Sequence, residues 1–184
     1  MTSPSPRSGL MDRPDSYGPV TRVLHWAMAA LLAWQWLGMA VKLVLGRQPL
    51  AAFFVGTHAS VGLMLLALIL LRLVWAGLNA GRRPPHGDGW LGKLAKAGQG
   101  VLYLLLLVVP SLALLRALGG TRPLRAFGTE VFAGRETAVP WMTAPADAVH
   151  GFLAWTLLVL VTGHVLMALV HQWLLRDGTL RRMA

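Results

Sequence analysis

The stretch HGFLAWTLLVLVTGHVLMALVH, residues 150–171, decides the fold. It reads as one long apolar helix that carries three histidines. From His150 to His164 is fourteen steps, about 1400° of rotation, which returns the two rings to within roughly 40° of each other about 21 Å apart along the axis. One helix therefore presents two imidazoles on one face, near opposite sides of a membrane. Histidine inside a span is costly and marks function. Two further histidines, His25 and His58, lie at the openings of two other apolar segments. Pairing by depth predicts two bis-histidine sites stacked across a bilayer, the arrangement by which an all-α four-helix membrane bundle holds two b-type haems.

Composition agrees with a membrane chain. Of 184 residues, 55% are hydrophobic and 13% charged. A span needs about 20 apolar residues, and four stretches qualify, at roughly 20–45, 50–76, 98–118 and 146–175. What remains is too short for a second domain of any size, so 20–184 is read as one four-span domain. Residues 1–19, rich in Pro, Ser and charge, read as a disordered tail. No signal peptide is recognised before span one, whose apolar run is too long for an h-region.

The chain has no cysteine. Thiolate-held iron–sulfur clusters and covalent c-type haem attachment are thereby excluded. Any haem is non-covalent, with histidine as its natural iron ligand.

The net charge of +10 is read as topology, and nucleic acid is rejected as a partner. Arg7, Arg13, Arg22, Arg72, Arg82, Arg83, Lys93, Lys96, Arg176, Arg181 and Arg182 fall on one side. Lys42, Arg47, Arg116, Arg122, Arg125 and Arg135 fall on the other. The positive-inside rule then places both termini in the cytoplasm and the chain in a bacterial inner membrane. The longest connection, about 119–145, mixes aromatics with charge and is expected to lie along the periplasmic surface.

Other positions join the candidates. Gly62 lies one turn beyond His58 and leaves room for a flat macrocycle or for close helix packing. Arg72, fourteen residues after His58, suits a haem propionate or snorkels to the headgroups. Pro110 should kink span three. On span four, geometry alone allows either His164 or His171 as the partner of His25.

Taken together, Arg22-x-x-His25-Trp26, His58-x-Ser60-x-Gly62, Leu102-Tyr103 with Pro110, His164-Val165-x-x-Ala168-Leu169-x-His171 and the closing Arg176-Asp177-Gly178-x-Leu180-x-Arg182-Met183 resemble the prokaryotic cytochrome b561 family. The resemblance runs from about residue 17 to the C-terminus. It implies a four-helix protein with two haems b, passing electrons between a periplasmic donor or acceptor and the quinone pool. It implies His58 with His150 for the periplasmic haem and His25 with His164 for the cytoplasmic one, leaving His171 free. Arg22 enters the cofactor-binding set through its motif. Gln99 stands where many members have a histidine, and Gly151 where members often have an acidic residue.

Two bis-histidine haems have no open coordination position, so they exchange electrons rather than bind oxygen. His171 is the candidate for quinone or proton work at the cytoplasmic face. The basic periplasmic face suits a small anionic donor such as superoxide or ascorbate. The alternative is a haem-bearing anchor subunit that relays electrons for a larger dehydrogenase or hydrogenase. A histidine-lined transporter fits poorly, because carboxylates within the spans are nearly absent.

Overall fold

The computed structural model describes residues 9–85 and 89–183. Arg7 and the first eight residues of the expected tail lie outside them. Four long helices dominate: α1 (Pro19–Leu45), α2 (Pro49–Leu78), α3 (Gly89–Gly119) and α4 (Pro140–Val170). All four are long and apolar enough to cross a membrane. Three of them, α1, α2 and α4, start with proline in the first turn, where its missing N–H has no helical partner to lose. Alternate helices run in opposite directions. One end of the bundle carries both termini, and the other carries a small hairpin.

Large apolar side chains face outward, with Val44 81% and Phe152 71% exposed, as lipid contact requires. The core is a thin layer. Met28 and Leu32 meet Val61, Leu65 and Ile69, closed by Leu105 and Leu157. In sequence these residues fall between the histidine levels. The helices pack as α1 on α2, α2 on α3 and α3 on α4.

Both later spans start earlier than the sequence predicts, at Gly89 and Pro140 rather than near 98 and 146. Hydropathy reports the stretch that lipid buries, whereas the hydrogen-bond ladder runs on through polar turns such as Gly89–Lys96. Pro145 lies one turn inside α4, where a single lost bond is tolerated. α3 likewise continues through Pro110. After α4 the chain makes one wide turn, residues 171–175.

Two segments differ in kind from expectation. The 119–145 connection contains an antiparallel hairpin, β1 (Leu124–Ala126) and β2 (Thr129–Phe132). Its turn residues Phe127 and Gly128 both have positive φ, 54° and 77°, the type I′ geometry that suits the twist of paired strands. The other is the supposed tail. Residues 9–18 are tied to the bundle through Asp12, which is buried at 3% exposure and supplies a hub. Its backbone N–H donates to Asn79 Oδ1 at 2.9 Å, and its Oδ1 accepts from Gly18 N–H and the Thr21 hydroxyl at 2.8 and 2.6 Å. Arg83 Nε donates to its Oδ2 at 3.2 Å. Partners 67 and 71 residues away leave no trace in a local window of composition.

Candidate functional site

The four histidines meet as two facing pairs. At the hairpin end the His58 and His150 ring centres are 6.4 Å apart. At the terminal end His25 and His164 are 6.3 Å apart. The choice that geometry left open on α4 thus falls to His164. His171 is turned elsewhere, its Nδ1 2.5 Å from Asp177 Oδ2.

The spacing has chemical content. Imidazole nitrogen binds a metal at about 2 Å, so two rings on opposite sides of one ion put their centres about 6 Å apart. Each pair also joins helices that do not pack closely, α2 to α4 and α1 to α4.

Ring orientation is set from outside. His150 Nδ1 lies 3.1 Å from the Val109 carbonyl oxygen. A carbonyl only accepts, so Nδ1 carries the proton and Nε2 keeps its lone pair toward the partner ring. His58 Nδ1 is buried without a hydrogen-bond partner among the described residues. Both rings line a cleft shared with Gln35, Gly62, Pro110 and Leu124. A Cβ on Gly62 would lie 3.6 Å from Gln35 Nε2, pointing into that cleft. The hairpin covers the outer side. Leu124 lines the cleft, and the Phe127 N–H donates to Ser60 Oγ at 2.9 Å.

At the terminal end Arg72 is buried, 7% exposed. Its Nε donates to the Tyr103 hydroxyl at 3.1 Å, and its guanidinium carbon lies 5.6 Å from the centre of that ring. It is within electrostatic reach of both His25 and His164. Arg22, by contrast, is exposed on the first turn of α1.

The profile of prokaryotic cytochrome b561 matches residues 16–184. The chain belongs to the prokaryotic cytochrome b561 family. It is similar to cytochrome b561 homolog 2 of Escherichia coli, 27% identical over 92% of each chain. It is also similar to cytochrome b562 of Cereibacter sphaeroides, 31% identical over 94% of this chain and 98% of that one. Family membership and four spanning helices make it a multi-pass bacterial membrane protein of haem b electron transfer.

Sequence reading missed the groups that hold the site. The Val109 carbonyl has no side-chain signature. Ser60 was noted only as part of a motif, and Arg83 only as a loop charge. The one available signal was the apolar–polar alternation around Phe127-Gly128, which marks a hairpin.

Of the basic hairpin-end residues, Arg125 faces Glu130 at 3.4 Å, and Arg116 faces Asp147 at 2.5 Å. Arg135 donates to the Leu118 carbonyl at 2.7 Å. Arg122 is exposed.

Proposed function

We propose that this b561-family protein carries electrons across the inner membrane through two haems b, one held by His58 and His150 and one by His25 and His164. The spacing of about 6 Å within each histidine pair carries this reading. Bound haem supplies a reversible one-electron centre at each level. The chain's own residues do the rest. Val109 fixes the His150 tautomer, Gly62 keeps the cleft open, and the Met28–Ile69–Leu157 layer keeps the space between the levels dry.

On this reading both termini face the cytoplasm, where eleven of the seventeen basic residues gather. A small periplasmic donor, superoxide among the candidates, meets the hairpin end. Quinone exchanges electrons at the terminal end, where His171 sits with Asp177 at the membrane boundary. The pair holds a proton position beside bound quinone: His171 Nδ1 shares its proton with Asp177, leaving the other ring nitrogen for the substrate oxygen.

Haem-to-protein ratios and spectra of single variants test the assignment. The intact chain should hold two haems. His150→Ala should lose the hairpin-end haem and His164→Ala the terminal-end haem, each retaining the other. His171→Ala should retain both and slow quinone reduction. One haem per fully loaded chain, or loss of a haem in His171→Ala but not in His164→Ala, would overturn it.

A further inference from the structure

Two arginines converge where the fold offers them too little negative charge. Arg72 is buried, and among the described residues no carboxylate lies within ion-pair distance of it. Its Nε donates to a neutral hydroxyl, that of Tyr103. Arg83, arriving from the loop after α2, comes within side-chain reach of the same hydroxyl. Its Nε is taken by Asp12, but its Nη2 is buried with no partner among the described residues. Tyr17 stands among the same charges, Asp12, Arg72 and Arg83.

A buried guanidinium without an anion is strongly unfavourable, and two cations drawn to one hydroxyl repel each other. Among the described residues the cluster holds one carboxylate, Asp12, against two arginines, which leaves a positive charge unmatched there. Fork-shaped N–H donors match a carboxylate best. Of this cluster, Arg72 lies within electrostatic reach of His25 and His164.

We propose that Arg72, Arg83 and Tyr103 form a carboxylate cradle for the propionates of the haem bound between His25 and His164, with Asp12 positioning Arg83. This rests on the assignment of that histidine pair as haem ligands. Haem bound there would have its propionates held by Arg72 of α2, Tyr103 of α3 and Arg83 of the loop between them. The cradle also gives residues 9–18 a purpose. They carry Asp12 across the terminal end and lock one arm of the cradle.

Redox titration of the purified two-haem protein tests the cradle independently of turnover. A propionate's negative charge favours the oxidised, more positive iron, and a guanidinium paired with that propionate cancels the effect. Arg83→Gln should therefore shift the reduction equilibrium of the terminal-end haem about tenfold toward oxidised, a fall of about 59 mV for one electron. The other haem should not move. Arg83→Lys should recover most of the shift. Tyr103→Phe, which keeps both charges, should give a smaller fall of the same sign, about twofold to threefold in that equilibrium. In protein reconstituted with haem dimethyl ester, the difference between Arg83 and Gln should shrink sharply. A full difference with the ester, or one that varies with added acetate, would mean that the cradle holds a free carboxylate and would overturn the proposal. Equal shifts at both haems, or none, would also overturn it. Failure of the ligand assignment reads differently: His164→Ala would keep both haems.

Discussion

At His150 the bond to the Val109 carbonyl does two jobs at once: it orients the ring and leaves Nε2 unprotonated. Gly62 acts on the same cleft by what it lacks. Gly62→Val should place branched bulk against Gln35 and block the flat group, so that haem content falls from two to about one per chain while the terminal-end haem remains. At the other end the Thr179 N–H donates to Asp177 Oδ1 at 2.9 Å, and with His171 it holds the Asp177 carboxyl down to about 2. The usual aspartate value is about 3.9. A depressed folded value means that the contribution is fully present above about 4 and is lost as pH falls through about 2. Hydrogen-exchange protection of the Thr179 amide should therefore be level from pH 7 to 4 and collapse below. Asp177→Asn should remove that transition. The histidines themselves were legible in sequence, since few other side chains are so conspicuous in an apolar span. Their second partners were not, because a backbone carbonyl looks the same at every position.

Among the elements, the hairpin is what covers the His58–His150 cleft. Its hold on α2 is one bond, from Phe127 N–H to Ser60 Oγ, at an exposed position. Ser60→Ala should weaken the hairpin's attachment by about 1 kcal/mol or less, since water replaces the lost acceptor. Exchange of the Phe127 amide should quicken by up to about fivefold, with both haems retained. Unchanged exchange would show that Leu124 and Ala126 packing alone holds the hairpin. The spans were legible because each is a single apolar run that lipid demands. The helices α3 and α4 start earlier than the spans read from hydropathy because helices outlast the hydrocarbon layer. The hairpin and the 9–18 segment escaped notice because their anchors, Ser60, Asn79 and Arg83, lie more than 60 residues away in the chain.

For the whole molecule, charge is the property that reaches beyond contact. Arg122, Arg125 and Arg135 form the basic edge of the hairpin end, and two of them are already engaged, with Glu130 and with the Leu118 carbonyl. Exposed pairs of this kind keep some field but share it with their partners. Replacing all three with glutamine should slow haem reduction by an anionic donor several-fold and flatten its salt dependence, since screening acts beyond about 8–10 Å at physiological ionic strength. Reduction by a neutral donor should hardly change. Equal slowing with both donors would mean that the arginines serve the hairpin's fold rather than its field. The sequence by itself determined the membrane class, the four spans and the histidine levels. Lipid imposes hydropathy residue by residue, and the helical repeat converts spacing directly into depth and face. Only the tertiary structure decided that Arg72 turns inward to Tyr103 and that Asp12 is buried. Each of these depends on how helices far apart in the chain come to lie side by side, and helical periodicity carries no record of a neighbour.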